Sequence, residues 1–161
     1  METHYYNIDI RWSGDRKGMM CSPEISTGLA SADGCIEIAT PPEFPKGIAG
    51  IWSPEHLFTA SVSSCLMTTF LAVAENSKLE FVGFSCMAKG KLEKVDGKFI
   101  ITEVLLEPSI TIRNEKDREK AGRVIKKSED ACLISNSISS RVIVIPQISV
   151  AQSSDTVRSV T

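Results

Sequence analysis

The chain has 161 residues, enough for one domain with a real hydrophobic core, and its 42% hydrophobic and 24% charged residues are ordinary for a globular protein. A net charge of −2, with both signs spread along the chain, excludes the basic patch that a nucleic-acid groove needs. Five cysteines show no disulfide framework, and Met1 to Tyr6 lack the basic-then-apolar pattern of a secretory leader, so a cytoplasmic protein is expected.

Taken in chain order, Tyr6, Ile8, Ile10 and Trp12 alternate with Asn7, Asp9 and Arg11, which predicts a half-buried strand over 5–12. The segment Ser13 to Gly18 reads as a turn, Met19 to Ser22 as a return strand, and a loose loop follows. Asp33-Gly34 opens a strand over 35–39, which Pro41, Pro42 and Pro45 end. Ser53-Pro54-Glu55 is a helix start. Ser53 suits the N-cap, Pro54 the first helical position and Glu55 the positive end of the helix dipole.

That helix should run to about Asn76, and apolar or small residues on nearly every face predict a buried central helix. Its uncharged stretch, Leu57 to Ala74, approaches the length of a membrane span. Thr59, Ser61, Ser63, Ser64, Thr68 and Thr69, with no basic flanks, suit a helix buried in protein better. Two long strands, 81–95 and 98–113, follow as a hairpin turning at Asp96-Gly97. Asn114 is placed to cap an amphipathic helix over 115–131, and a last strand covers 141–150. The pattern is an α+β class with antiparallel pairing, a single domain over 1–151, and a polar, disordered tail over 152–161.

Cys65 in the uncharged helix and Cys132 after the amphipathic helix are the candidate reactive thiols. A thiol reacts as its thiolate, and burial alone raises its pKa. Cys65 lies more than two turns inside its helix, too deep for the N-terminal dipole to help. On this reading a cation from elsewhere is required. Arg11, Arg16, Arg113, Arg123 and Arg141 are the candidates. Glu55 and Cys65 are ten residues apart, about 15 Å along a straight helix. If both serve one site, Glu55 comes from a second copy of the chain. Cys132 is the natural second thiol, and its place at a helix end makes Cys65 the better attacking sulfur.

Each of these residues also has an ordinary structural reading. A cysteine in a buried helix is usually packing, and Glu55 alone is a normal helix-start residue. Cys65, Cys132 and His56 have no recognisable metal-ligand spacing. Cys86 reads as core, and Cys21 and Cys35 read as strand or loop residues without partners.

Together these segments resemble the OsmC/Ohr family, the osmotically inducible protein C and organic hydroperoxide resistance proteins. The matching residues are Trp52-Ser53-Pro54-Glu55-His56-Leu57-Phe58, then Ala60-Ser61-Val62-Ser63-Ser64-Cys65, then Cys132-Leu133-Ile134-Ser135-Asn136-Ser137. Pro41-Pro42-Glu43-Phe44 and Val95-Asp96-Gly97-Lys98-Phe99 also look like the family. The resemblance implies an intertwined homodimer with antiparallel sheets around the long central helix and active sites at the interface. It implies a peroxidase for organic hydroperoxides, with no metal or organic cofactor. Cys65 would be oxidised to a sulfenic acid, Cys132 would close a disulfide with it, and an external dithiol would reduce that bond. The donor would be a lipoyl protein, a thioredoxin-like protein or a small thiol.

The resemblance also implies an arginine, held by Glu55, that activates the thiolate. Gly14-Asp15-Arg16-Lys17-Gly18 looks like the segment that carries it in one branch of the family, which selects Arg16. Leu133 stands where the family often has proline. The apolar residues Phe58, Leu66, Met67 and Phe70 would favour a greasy peroxide. A second reading is a dimer that binds an apolar small molecule at its interface without efficient turnover.

Overall fold

The computed structural model describes residues 2–25 and 34–152, in two compact units, Met1–Leu57 and Phe58–Thr161. Most of the expected loop after Ser22, and the expected tail beyond Gln152, lie outside the described residues.

The first unit is a three-stranded antiparallel sheet in the order β1-β2-β3, from β1 (Asp9–Gly14), β2 (Lys17–Cys21) and β3 (Cys35–Ala39). β1 begins later than its alternation suggests, and its residues are exposed rather than half-buried, with Trp12 at 78%. The β1–β2 turn is tight, with Gly14 at φ 133° and Asp15 at φ 44°. Two bonds fix it: Trp12 Nε1 donates to the Asp15 carbonyl at 3.1 Å, and the Thr40 N–H donates to the Arg16 carbonyl at 2.9 Å. Gly18 is required where β1 passes. A Cβ there would lie 2.7 Å from the Arg11 carbonyl oxygen.

Helix α1 (Pro54–Asn76) begins at the end of the first unit and continues in the second. Ser53 caps it, its buried Oγ accepting the His56 N–H at 3.3 Å and lying 2.8 Å from His56 Nδ1. One stripe of α1 is buried, Val62, Leu66, Phe70 and Ala74, at the four-residue spacing of a single helix face. Met67 and Leu71 on another face are exposed. The expectation of burial all round is therefore met on one side only in the single chain.

In the second unit, β4 (Phe81–Val95) and β5 (Lys98–Ile112) form the long antiparallel hairpin. Asp96 (φ 49°) and Gly97 (φ 81°) both take the left-handed conformation that a two-residue hairpin turn demands. β5 alternates cleanly, burying Val104, Leu106, Pro108, Ile110 and Ile112. With the α1 stripe and with Ala121, Val124 and Ile125 of α2 (Arg118–Ala131), the apolar residues of this row form the core. Phe70 sits at its centre, its ring 5.2 Å from that of Phe81 and 4.8 Å from that of Phe84.

Three sequence expectations change here. The residues after Asn114 form a 3-10 turn, Glu115–Asp117, before α2, and the Asn114 side chain makes no capping hydrogen bond. The last strand is two, β6 (Arg141–Val144) and β7 (Gln147–Val150), with Ile145 and Pro146 between them. Both run parallel to β5, so the pairing is not wholly antiparallel. The Leu106 and Ile112 carbonyls accept from Ile145 and Ala151, so even-numbered β5 residues face β6 and β7. Pro108 shares that parity, and the donor it lacks falls where β6 gives way to β7.

Candidate active site

Cys65 and Cys132 meet in the second unit. Cys65 stands mid-way along α1, and Cys132 is the C-cap of α2, where the backbone leaves the helix (φ −67°, ψ 110°). That exit turns the next residues back toward α1, and the Ile134 N–H donates to the Cys65 sulfur at 3.4 Å. Cys132 is fully buried and Cys65 half-buried. Ser135 Oγ donates to the Cys132 sulfur at 3.1 Å.

The two thiols are driven apart in acidity. Burial pushes the Cys65 thiol up, but hydrogen bonds from the Ile134 N–H, the Cys132 thiol, the Thr69 hydroxyl and the Leu133 backbone outweigh it, leaving the pKa below its ordinary value. For Cys132 burial raises the pKa, and neighbouring Cys65 raises it further against the two hydrogen bonds of Ser135. The arrangement suits a Cys65 thiolate that accepts a hydrogen bond from a Cys132 thiol. The sequence reading required a cation to activate Cys65. Hydrogen bonds from the turn after α2 already lower it.

The sequence gives Thr69, Ile134 and Ser135 no role as donors to the thiols. Thr69 follows Cys65 by four residues and Ser135 follows Cys132 by three, the spacings of helix or turn neighbours. A backbone N–H donor such as that of Ile134 leaves no signal in residue type. Of the apolar residues expected around Cys65, Leu66 and Phe70 belong to the core stripe instead, Phe58 packs against the core, and Met67 is exposed.

Arg16 and Glu55 both lie in the first unit. They line one cavity of about 480 Å³ with Ile10, Trp12, Ile38 and Phe44. Arg16 lies in the β1–β2 turn and Glu55 in the first turn of α1, with its Oε2 buried. Glu55 and Cys65 stand on the same uninterrupted helix, about 15 Å apart along its axis. Of the other candidate arginines, Arg11 pairs with Asp9 at 2.8 Å and Arg123 with Glu119.

One expectation about the remaining cysteines is overturned. Cys21 and Cys35 are joined in a disulfide. They close β2 and open β3 as register partners, so the ladder itself brings the sulfurs together. Cys86 keeps its thiol, which burial pushes up. Among the described residues no group of three or more His, Cys, Asp or Glu is arranged to hold a metal ion.

A family model described as OsmC-like protein matches residues 47–146. The uncharacterized protein YmaD of Bacillus subtilis is 23% identical over 145 residues, covering 88% of this chain and 91% of that one. The fold is similar to an OsmC-like protein of unknown function from Vibrio cholerae, with a TM-score of 0.77 and 19% identity over 89% of this chain and 99% of that one. It is also similar to an organic hydroperoxide resistance protein OsmC from Legionella pneumophila, with a TM-score of 0.70 and 25% identity over 92% and 99%. A third likeness is to the organic hydroperoxide resistance protein OhrB of Bacillus subtilis, with a TM-score of 0.63 and 23% identity over 90% and 98%.

Proposed function

Because this chain belongs to the OsmC-like protein family, we propose that it is a thiol-dependent peroxidase for organic hydroperoxides. The observation that carries this reading is the unequal thiol pair, Cys65 depressed and Cys132 raised, joined by a hydrogen bond. Two structural relatives named for organic hydroperoxide resistance support the substrate class.

The Cys65 thiolate attacks one oxygen of the hydroperoxide. The O–O bond breaks, the alcohol leaves after taking a proton, and Cys65 becomes a sulfenic acid. The Cys132 sulfur then attacks the Cys65 sulfur, water leaves, and a Cys65–Cys132 disulfide forms. A dithiol donor, whether a lipoyl protein, a thioredoxin-like protein or a small thiol, returns the two electrons by exchange. Arg16 and Glu55 of a partner copy orient the peroxide, Glu55 positioning the guanidinium. That assignment makes the working unit a homodimer, each copy read as one domain over 1–151. The setting is the cytoplasm, where a dithiol supply is maintained.

The test is single-turnover oxidation of the reduced protein by cumene hydroperoxide and by hydrogen peroxide, followed by thiol counting and mass mapping. The expected result is rapid loss of two thiols, a Cys65–Cys132 disulfide and a faster reaction with cumene hydroperoxide. Slow or absent oxidation of Cys65 would move the protein to a binding role without turnover.

A further inference from the structure

The steps proposed for Cys65 make no use of the disulfide between Cys21 and Cys35. The two residues are 14 apart in sequence, with Cα atoms 4.1 Å apart. They form the terminal pair of a five-pair ladder, followed by Met20–Ile36, Met19–Glu37, Gly18–Ile38 and Lys17–Ala39. Just past the far end, the Thr40 N–H donates to the Arg16 carbonyl at 2.9 Å. The ladder is thus clamped by sulfur at one end, and at the other it holds the backbone of Arg16.

We propose that Cys21 and Cys35 are a second thiol–disulfide couple, separate from Cys65 and Cys132, whose redox state sets how firmly β2 and β3 hold the turn that carries Arg16.

Three observations support it. Strand alternation puts the disulfide on the face that also carries Met19, Lys17 and Glu37, whose ion pair at 2.7 Å lies two residues away. The cavity takes Ile10, Trp12, Gly18 and Ile38 from the opposite face, and from the disulfide's face only the far pair, Lys17 and Ala39. Cys21 and Cys35 are half-buried, not enclosed in a core, so a small dithiol can reach them. Finally, β3 is at the edge of its sheet and is held beyond β2 only by a bridge from Ile38 to Trp52 among the described residues. Closing a ring of about 15 residues restricts ladder opening by roughly a hundredfold in the chain-entropy account. The neighbouring backbone fits a closed ring. Ser22 N–H donates to the Gly34 carbonyl at 3.4 Å, and Gly34 takes φ 64° where a Cβ would collide with the Ile25 carbonyl.

The exchange balances. A dithiol's thiolate attacks one sulfur, the Cys21–Cys35 bond breaks, and a mixed disulfide forms. The donor's second thiol closes its own disulfide, and two electrons and two protons end on Cys21 and Cys35. In the oxidising direction one thiol takes an oxygen from an organic hydroperoxide, which leaves as the alcohol. The other thiol displaces water from the sulfenic acid. The couple itself is independent of the peroxidase reading; only its consequence for Arg16 rests on that reading.

The experiment uses the full chain carrying Cys65→Ser, so that failure of the peroxidase reading leaves the readout intact. Mass mapping should find the Cys21–Cys35 linkage, and dithiothreitol should reduce it in the folded protein. Amide exchange over 17–21 and 35–40 should then quicken by roughly a hundredfold, with the β4–β5 amides unchanged, and cumene hydroperoxide should restore protection. Adding Cys21→Ser and Cys35→Ser should give the fast exchange regardless of dithiothreitol. Reduction only on global unfolding, ladder exchange unchanged by reduction, or two separate thiols after diamide treatment would each overturn the proposal. Should the serine variant fail to fold, the dithiothreitol comparison on the unsubstituted pair decides alone.

Discussion

The backbone N–H of Ile134 donates to the sulfur of Cys65 at 3.4 Å. A residue two past the second cysteine thus stabilises the charge on the first. The exit of the chain from α2 brings both the Cys132 sulfur and the Ile134 N–H to Cys65, and both lower its pKa. The Ile134 and Leu133 share of that lowering comes from the backbone path of the turn, while Cys132 and Thr69 add side-chain donors.

The pH dependence follows from the two directions. A depressed pKa keeps Cys65 in the thiolate form at pH values where an ordinary thiol, with a pKa of about 8.5, is protonated. Its thiolate fraction falls only as pH drops through the lowered value, whereas that of Cys132 rises only at higher pH. Iodoacetamide labelling of the reduced protein, resolved by mass mapping, should therefore give a Cys65 midpoint below that of free cysteine and a Cys132 midpoint above it. Coincident midpoints would remove the thiolate assignment.

Cys132→Ser should leave the peroxide-reacting step in place and stop the next one. Serine keeps a hydroxyl to donate toward Cys65 but cannot form a disulfide. One equivalent of cumene hydroperoxide should then consume Cys65 within roughly tenfold of the unsubstituted rate and give a dimedone adduct on Cys65. Consumption of Cys65 without an adduct would argue for a different first intermediate.

Arg16→Ala separates the two influences on Cys65. The hydrogen bonds that lower the thiol all come from the second unit and survive the change, so the iodoacetamide profile should stay in place. The reaction with cumene hydroperoxide should slow by roughly a hundredfold, because the substrate loses its orienting cation. Glu55→Gln should fall between the two. Arg16 is exposed in the single chain, so thermal stability should change little. An unchanged peroxide rate would take Arg16 out of the site.

Much of this was legible because local rules agree with the fold. Ser53-Pro54-Glu55 starts α1 where propensity places it, and Asp96-Gly97 makes the hairpin turn. Cys65 and Cys132, which the resemblance implies as a pair, lie together in the second unit. What was hidden depends on pairing. Cys21 and Cys35 look isolated until the β2–β3 register makes them neighbours. The parallel direction of β6 and β7 follows from chain tracing that alternation does not encode, although Pro146 already marks the break between them. The exposed side of α1 was masked for a different reason. A face that packs on a second copy would have the same composition as a face buried in the same chain.

That face supplies the last test. Met67 and Leu71 are 39% and 43% exposed on a helix whose neighbouring stripe is fully packed. If this side meets a second copy, Met67→Lys with Leu71→Lys should convert a dimer to a monomer in sedimentation, because two buried lysines without partners oppose association. The iodoacetamide reactivity of Cys65 should persist, since its hydrogen bonds lie within one chain, while peroxide oxidation should slow by roughly a hundredfold without the partner's Arg16. Mixing makes the argument sharper. Cys65→Ser chains, inactive alone, and Arg16→Ala chains, slowed by roughly a hundredfold alone, should together recover about a quarter of the activity. Half of the random dimers are mixed, and each mixed dimer holds one complete site. Mixed dimers that form and stay inactive would place Arg16 and the Cys65 it serves on the same chain.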